Sequence, residues 1–560
     1  MANISKQRRE ELISKINKIK ESIFSLEDDV NKQTLIQYLS DLESEIKGKK
    51  YGLVYEEHKE LIDEILETNT PVLSEDESLF IDNGGTMNFL IEGDNLASLN
   101  ILEKTHQGKI DVIYIDPPYN TGHGDFIYND NCIDDKDLFR HSKWLSFMKN
   151  RLKKAHRLLS RNGVIFISID DNEQANIKML CDEIFGENNN LGIFIVKSTP
   201  NARDYGYVGK MHEYMLFYAK DSKFVSTNLM PVIDKKFKYK DEKGGFNIHP
   251  LYNSNEAFTN LNRPNLYYPF YLDPKSKKGD FYSIYLSKEG EDWIEIYPPK
   301  SVKNNIQFVW RWGKEKALNN LNIEIVGYCL NGNEYRVVQK MRHDEKLIRS
   351  ILDSTEYTSR KGTAEVEEIL GSKIFSFPKP LTLIKDILFM ATTRDSVILD
   401  FFAGSGTTGH AVMKLNKEDK GTRRFILCTN NENNICRDVT YERIKRVIEK
   451  ENYQASLKYM KVEFVPISEQ FYYEYADQLL LHIRELVELE NGINFKGNSE
   501  IAIILTDEEL EEFINGINDK CKTIYLGHDV LPTGEQLDVI NSRKIKINII
   551  PDYYYGELGA

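Results

Sequence analysis

The sequence has few cysteines, and no two of them are closely spaced. Six cysteines occur in 560 residues, and none forms a C-x-x-C motif. This spacing argues against a disulfide framework and against a thiolate metal site. The histidines also lack carboxylate or cysteine neighbours at ligand spacing. We therefore expect the cysteines to be packing residues, and we expect no metal centre.

The sequence also lacks a long apolar run. No segment reaches the ~18 consecutive apolar residues of a membrane-spanning helix, and residues 1–18 have no apolar signal core. Hydrophobic residues make up 41% and charged residues 29% of the chain, which excludes wholesale disorder or a fibrous repeat. We expect a cytoplasmic protein without a membrane partner, built from roughly three or four folding units.

The net charge is −14, so the chain as a whole lacks the basic excess that nucleic-acid-binding proteins normally show. The charge is unevenly distributed, however. Residues 56–95 hold twelve acidic residues and one lysine, and residues 463–560 hold nineteen acidic and seven basic residues, which leaves the rest near +9. A basic centre allows phosphate contacts, while the acidic ends favour solubility or a protein partner. Solvated acidic faces would explain the same pattern.

Near the N-terminus, apolar residues recur at alternating steps of four and three, which predicts one face of a helix. The stripe is shorter than the three or four heptads of a coiled coil, so a helix packed on its own domain and a dimer contact both stay open. Its members are Leu12, Ile16, Ile19, Ile23, Leu26 and Val30.

From about residue 87, short apolar strands alternate with helices, a pattern typical of βα units around a parallel sheet. We predict strands at residues 87–91, 110–115, 164–169, 211–218, 397–400 and 424–428, and a helix capped by residues 170–172. Between about 225 and 370 the alternation gives way to an aromatic and basic stretch. The sequence thus predicts one α/β sheet assembled from two separated stretches of chain.

Five regions follow from this pattern. We expect a helical N-terminal region at 1–80, the two halves of the α/β domain at 81–225 and 371–460, an inserted domain at 226–370 and a small acidic α/β domain at 461–560.

The first motif follows the strand predicted at 110–115, at the edge where open α/β sheets bind ligands. A residue before proline is held extended, so a carboxylate and a proline carbonyl project into one space. Two rigid acceptors suit a planar amino group with two hydrogens, and a tyrosine ring offers a face on which a base can stack. The motif consists of Asp116, Pro117, Pro118 and Tyr119.

The second motif is a glycine loop at residues 400–409, again between a strand and a helix. Gly404 and Gly406 let the backbone turn tightly near a ligand. The loop lacks the third glycine of a dinucleotide fingerprint and the lysine of a P-loop. By itself it is a weak indication of a nucleotide-like ligand, and its weight comes from the pairing with the first motif.

Together the two motifs resemble those of the amino-methylating DNA methyltransferases that use S-adenosylmethionine. The order of catalytic motif, long insert and cofactor loop is similar to the β class of that family. An aspartate at the head of the tetrapeptide resembles the adenine N6 enzymes, whereas the cytosine N4 enzymes generally have serine. Residues 50–58, 116–130 and 377–380 resemble the modification subunit of type III restriction systems.

The resemblance implies a Rossmann-like methyltransferase fold with a mostly parallel sheet, circularly permuted motif order and a target-recognition domain in the insert. It implies that residues 116–119 are catalytic and that S-adenosylmethionine binds without a metal. Glu432 is the implied ribose ligand, although it follows the strand at 424–428 by four residues, whereas the family usually has this acid directly after the strand. The implied cofactor-binding residues are Asp94, Asn95, Lys379, Pro380, Asp400, Phe402, Ala403, Gly404, Ser405, Gly406, Thr407 and Glu432.

The implied reaction is methyl transfer to the N6 amino group of an adenine flipped out of double-stranded DNA. A homodimer and a restriction (helicase-nuclease) subunit are the implied partners. Four alternatives stay open: a stand-alone adenine methyltransferase, an RNA methyltransferase, a protein-glutamine methyltransferase, and a non-catalytic DNA-binding specificity subunit. In the insert, Arg263, Arg311 and Lys314 are candidates for phosphate or guanine contacts, and Tyr267 and Trp310 for base stacking.

Overall fold

The computed structural model describes residues 4–24, 35–40, 42–43, 55–128, 131–201, 207–232, 236–330, 332, 334–342, 345–467 and 472–556. The heptad positions Leu26 and Val30, and residues 50–54 and 129–130 of the runs that carry the resemblance, lie outside this part of the chain. The chain divides into two compact units. The first is Met1–Asn228 with Arg349–Ala560, and the second is Leu229–Ile348.

The first half of the larger unit contains the helices and strands given below, and residues 35–40 are also helical. The helices are α1 (Ile4–Phe24), α2 (Leu61–Thr68), α3 (Asn95–His106), α4 (Arg140–Leu158) and α5 (Gln174–Cys181). The strands are β1 (Asn69–Glu75), β2 (Thr86–Glu92), β3 (Ile110–Ile115), β4 (His123–Tyr128), β5 (Asn131–Asp134), β6 (Leu159–Ile169), β7 (Asn190–Lys197) and β8 (His212–Ala219).

The smaller unit is built from short antiparallel strands and one short helix, α6 (Lys314–Leu318). Its core packs aromatic rings such as Phe270 and Trp310 around Ile284 and Ile325. The strands are β9 (Met230–Pro231), β10 (Tyr239–Asp241), β11 (Gly244–Pro250), β12 (Tyr252–Asn253), β13 (Phe270–Leu272), β14 (Phe281–Tyr282), β15 (Ile284–Tyr285), β16 (Ile294–Ile296), β17 (Val309–Trp310), β18 (Ile325–Cys329), β19 (Tyr335–Met341) and β20 (Glu345–Lys346).

The remainder of the larger unit follows the insert. Its strands are β21 (Ile351–Leu352), β22 (Val397–Asp400), β23 (Arg424–Thr429), β24 (Ala455–Pro466), β25 (Ile501–Ile504), β26 (Thr523–Gly527) and β27 (Lys546–Ile550). Its helices are α7 (Ser359–Leu370), α8 (Leu381–Ala391), α9 (Thr407–Asp419), α10 (Glu442–Glu451), α11 (Tyr472–Leu480), α12 (Ile483–Asn491), α13 (Asp507–Gly516), α14 (Gly534–Ser542) and α15 (Asp552–Tyr555).

A ten-stranded sheet forms the centre of the larger unit, in the order β1-β24-β2-β23-β22-β3-β6-β8-β7-β21. The six strands from β24 to β6 run parallel, and β8 pairs antiparallel with both β6 and β7. The late strand β22 inserts directly beside the early strand β3. The prediction of a mostly parallel α/β sheet assembled from two separated stretches is therefore confirmed.

Two predicted domain boundaries differ from the observed units. Residues 349–370, expected in the insert, belong to the larger unit, because β21 extends its sheet by pairing with β7. The expected boundary at 461 falls inside β24, whose later residues pair with β1 at the sheet edge. The three-stranded sheet β25-β26-β27 packs a separate cluster around Leu510, Ile524 and Ile540, while its residues Tyr525 and Ile550 belong to the main core.

Helix α1 confirms the helical prediction over its described residues. Ile16 is buried, whereas Leu12 and Ile19 are 38% and 48% exposed. The dimer contact therefore stays a prediction. None of the helices in the described ranges has the length and apolar character needed to cross a membrane.

Candidate active site

The two motif loops leave the same edge of the central sheet. Strands β3 and β22 are parallel neighbours, with Leu399 opposite Ile113. Asp116 directly follows β3, and Asp400 is the last residue of β22. Because the carboxyl ends of parallel strands meet at one edge, residues 116–119 and 400–406 lie side by side.

Asp116 and Tyr119 share a polar network with two charged residues from elsewhere in the chain. The Tyr119 hydroxyl donates to Asp116 Oδ1 at 2.9 Å, and Lys379 Nζ lies 3.0 Å from the same oxygen. Lys379 Nζ also donates to the Tyr119 hydroxyl oxygen at 2.7 Å and lies 3.5 Å from Glu213 Oε2. Lys379, predicted at the cofactor pocket, thus contacts two residues of the tetrapeptide 116–119.

Burial and the neighbouring charges together set the pKa values of this network. The side chains of Lys379 and Glu213 are only 11% and 12% exposed. Burial raises the pKa of Glu213, although Lys379 opposes the effect. Burial alone would lower the pKa of Lys379, but the carboxylates of Asp116 and Glu213 outweigh it and raise that pKa. Burial also raises the pKa of Tyr119 well above its usual value, so its hydroxyl stays neutral.

The backbone around the tetrapeptide is fixed on both sides. Pro117 is buried, and the Pro118 carbonyl accepts a hydrogen bond from Trp144 Nε1 at 2.7 Å. Asn120 follows in the left-handed region, with φ +57°, which asparagine tolerates better than most residues. Its buried amide donates to Glu173 Oε1 at 2.5 Å. These contacts hold the turn that presents Tyr119.

The glycine loop uses backbone conformations that favour glycine. Gly404 and Gly406 have φ +49° and +72°. A Cβ on Gly404 would lie 3.1 Å from the Phe375 ring. The loop is braced by Thr440 Oγ1, which donates to the Gly404 carbonyl at 2.6 Å, and by Arg443 Nη1, which donates to Thr407 Oγ1 at 2.7 Å.

Asp400 is buried at the base of this loop. Its carboxylate accepts hydrogen bonds from the Phe402 amide at 3.0 Å and the Thr408 hydroxyl at 2.5 Å. Burial nevertheless raises the pKa of Asp400 to about 7. A cation bound next to the loop would favour the ionised form.

Asp94 and Asn95 begin helix α3. Asp94 Oδ1 caps the helix by accepting from the Leu96 amide at 2.7 Å. Asp94 Oδ2 lies 3.5 Å from Arg151 Nη2, and Asn95 Oδ1 accepts from Arg151 Nε. One buried guanidinium therefore holds both side chains of this turn.

A cavity of about 460 Å³ opens beside the two loops. Five residues predicted from the sequence line it, and the other lining residues come from the N-terminal region, helix α4 and the strand ends. The predicted ones are Asp94, Asn95, Pro118, Phe402 and Glu432. The others are Glu60, Leu61, Ile62, Ile65, Phe126, Phe147, Phe401, Thr429 and Asn430.

Other predicted site residues do not line this cavity within the described chain. Ser405 and Thr407 are buried and accept hydrogen bonds from Arg443. Ala403 is also buried, and its amide donates to the Cys428 carbonyl at 3.2 Å. Pro380 precedes helix α8 as its N-cap residue.

Three further residues of the site, Glu213, Trp144 and Arg151, do not follow from the sequence motifs. Glu213 carried a signal, because it is an acidic residue near the start of a largely apolar strand. Trp144 and Arg151 carried no such signal, because the sequence of a helix does not show which of these side chains face the interior. The described residues contain no cluster of histidine, cysteine and carboxylate side chains that could hold a metal ion.

In the smaller unit, the structure separates core aromatics from exposed cations. Trp310 is 1% exposed, and its Nε1 donates to the Tyr268 carbonyl at 2.7 Å, so it is a core residue and cannot stack on a base. Arg263, Arg311 and Lys314 are exposed. These three stay candidates for nucleic-acid contacts.

The chain is similar in sequence to known restriction-modification enzymes and methyltransferases. The chain is 33% identical over 387 residues to the type III restriction-modification enzyme EcoPI Mod subunit of Escherichia phage P1, covering 63% of this chain and 58% of that protein. It is 36% identical over 344 residues to the type II methyltransferase M.KpnI of Klebsiella pneumoniae, covering 60% and 79%. It is 33% identical over 377 residues to the StyLTI Mod subunit of Salmonella typhimurium, covering 62% and 53%.

The chain thus spans little more than half the length of these two Mod subunits. A family model described as DNA methylase matches residues 110–442, a range that contains both motif loops and the insert between them. Since this match covers more than half of the sequence, the chain belongs to the DNA methylase family.

Proposed function

We propose that this protein transfers a methyl group from S-adenosylmethionine to the N6 amino group of an adenine extruded from double-stranded DNA. The observation that carries the proposal is the juxtaposition of residues 116–119 and 400–406 at one sheet edge, next to a cavity of about 460 Å³. The relatives named as DNA methyltransferases support the reaction class, and an aspartate heads the tetrapeptide as it does in adenine enzymes.

The cavity residues fit such a cofactor. Phe402 and Phe147 have ring centroids 5.9 Å apart and offer apolar faces for a purine. Asp94 and Glu432 add carboxylates that suit hydroxyl or ammonium groups. When bound, S-adenosylmethionine would supply an electrophilic methyl group.

The tetrapeptide would prepare the amino group for attack. An adenine amino nitrogen is a poor nucleophile, because its lone pair is delocalised into the ring. Asp116 Oδ1 already accepts from Tyr119 and Lys379, so we assign one amino hydrogen to Asp116 Oδ2 and the other to the Pro117 carbonyl. Two fixed acceptors favour a tetrahedral nitrogen, and catalysis rests on positioning and electrostatics.

The adenine must leave the duplex to reach this site, at a cost of a few kcal/mol. Stacking on an aromatic ring is worth about 1–3 kcal/mol, so Tyr119 would offset part of that cost. We assign target recognition to the inserted unit. Residues 231–316 hold fifteen basic and eleven acidic side chains, a local excess that suits phosphate contacts.

The similarity to two Mod subunits favours a modification subunit of a type III system, working as a homodimer with a restriction subunit in the cytoplasm. The similarity to M.KpnI supports a second candidate, a methyltransferase that acts without such a subunit. Co-purification with a separately expressed restriction subunit distinguishes them.

Transfer of tritium from labelled S-adenosylmethionine to duplex DNA, RNA and protein tests the reaction. We expect label in DNA alone, recovered as N6-methyladenine.

Asp116→Ala should lower turnover by at least about a thousandfold while cofactor binding persists, because the main amino acceptor is lost. Near-normal turnover in that variant, or label in RNA or protein only, would refute the assignment. Methylation-sensitive long-read sequencing would then give the recognised sequence.

A further inference from the structure

Helix α2 lies over the candidate cofactor cavity, although it precedes the segment matched by the family model, which begins at residue 110. Leu61, Ile62 and Ile65 line the cavity. The helix has no buried residue of its own, and Leu61 and Ile65 are 45% and 39% exposed. Apolar side chains that a helix leaves exposed towards a cavity indicate a surface that a ligand covers.

The position of this helix is fixed from its N-terminus. Glu60 is the N-cap residue, and Asp63 completes a capping box by accepting from the Glu60 amide at 2.9 Å. Glu60 is only 8% exposed and forms a bidentate ion pair with Arg151, whose Nη1 and Nη2 lie 2.6 and 3.1 Å from its carboxylate oxygens. A fully buried arginine therefore sets where the helix begins.

Arg151 also joins this helix to a second segment of the cavity wall. Its Nε donates to Asn95, and its Nη2 lies 3.5 Å from Asp94 Oδ2. Asp94, Asn95 and Glu60 all line the same cavity. The planar guanidinium thus holds two wall segments that are separated in the sequence at a fixed spacing.

We propose that helix α2 is part of the cofactor site: Ile62 and Ile65 contact the adenine moiety of S-adenosylmethionine, and Arg151 is the positioning residue that sets their distance from the Asp94–Asn95 turn. This inference rests on the proposed function, since it assumes the same cofactor. It adds a binding wall from the N-terminal region to a site whose other residues come from the α/β domain.

Calorimetric titration of the full chain tests the proposal. Ile62→Ala with Ile65→Ala should weaken binding of S-adenosylmethionine roughly tenfold or more, because buried apolar contact is lost. Leu66→Ala is the matched control, since Leu66 lies on the same helix but lines two other clefts. It should leave the Kd unchanged. 5′-Methylthioadenosine, which lacks the amino-acid part, should lose affinity by the same factor as the full cofactor.

Arg151→Lys keeps the positive charge but cannot form the paired guanidinium hydrogen bonds. The variant should therefore raise the KM for cofactor and leave kcat at saturating cofactor near the wild-type value. A merely structural role would instead lower the active fraction and kcat.

In the wild type, cofactor should protect the amides of residues 61–66 from hydrogen exchange, a result that needs no variant.

An unchanged Kd in the double alanine variant, an equal loss in Leu66→Ala, or unprotected amides would overturn this inference while methyl transfer by the wild type stands. Failure of the wild type to bind S-adenosylmethionine at all would overturn the proposed function, and this inference with it.

Discussion

Lys379 places a positive charge between two carboxylates beside the candidate catalytic tetrapeptide. Its Nζ lies 3.0 Å from Asp116 and 3.5 Å from Glu213, and its ammonium group is 5.0 Å from the centre of the Tyr119 ring. Glu213 attracts the same ammonium as Asp116, and under the proposed function Asp116 also accepts a hydrogen from the substrate. The balance between the two carboxylates therefore affects how strongly Asp116 binds the target amino group.

We predict that Glu213→Gln lowers kcat by roughly 10- to 100-fold, the range expected when a charge-assisted contact changes. Lys379 would then pair with Asp116 alone and compete with the substrate. Cofactor affinity should be unchanged. Tyr214→Phe is the control, because Tyr214 lies on the same strand and bonds instead to Asp171. Single-turnover kinetics measure the effect, and a kcat equal to that of the control would contradict it.

The buried carboxyl group of Asp400 predicts a pH dependence of cofactor binding. Because burial raises its pKa to about 7, the group is protonated below that pH in the free protein. A cationic ligand favours the carboxylate, so binding below pH 7 must release a proton. Affinity should fall by up to ~tenfold per pH unit as the pH drops below about 7, and it should be constant above that value.

Calorimetry between pH 5.5 and 8.5, about one and a half units either side of that pKa, measures both the Kd and the protons released. Asp400→Asn cannot ionise and should give a flat profile. A wild-type affinity that does not vary with pH would show that Asp400 keeps its proton state on binding.

At the scale of elements, the local pattern of apolar residues predicted the strands, but it did not predict where helix α5 begins. The strand predicted at 110–115 matches β3, and the one predicted at 397–400 matches β22. The caps predicted for α5 at 170–172 were wrong, because Asp170 accepts from the Asn172 amide within a turn and Glu173 becomes the N-cap. Apolar alternation is a local property, but the choice of cap depends on which carboxylate the tertiary contacts bury.

The glycine loop gives a prediction at this scale. Gly404→Ala should weaken cofactor binding roughly tenfold, because its Cβ would lie 3.1 Å from the Phe375 ring and push the loop or the ring aside. Gly371→Ala is the control, since Gly371 also has a positive φ but nothing within 4 Å of the added Cβ. It should cost about 1 kcal/mol of stability and leave the Kd intact. Thermal melts and titrations separate these effects, and equal Kd values would count against the crowding argument.

At the scale of the whole molecule, the charges are separated along the chain. Residues 463–560 hold nineteen acidic and seven basic residues, whereas residues 231–316 have a basic excess. The larger unit carries the candidate cofactor site, and the smaller one carries the exposed Arg263, Arg311 and Lys314. DNA affinity and cofactor affinity should therefore respond to different substitutions.

We predict that replacing these three cations with glutamine weakens DNA binding and lowers the salt dependence by about one unit per lost phosphate contact. Cofactor affinity should not change. Arg543→Gln, Lys544→Gln and Lys546→Gln remove the same charge from the acidic C-terminal region as a control. Fluorescence titration of duplex DNA against salt concentration measures both variants, and equal losses would indicate a net-charge effect without a local interface.

The sequence by itself determined the two motifs, their order and the mostly parallel sheet, because each depends on residue type and spacing over a few neighbouring positions. Only the tertiary structure decided that Lys379 reaches Asp116, that Trp310 is a core residue and that helix α2 lines the cavity. These are contacts between residues far apart in the chain. They depend on how the separated strands pair and on which side chains that pairing buries, and a local pattern of residues contains neither.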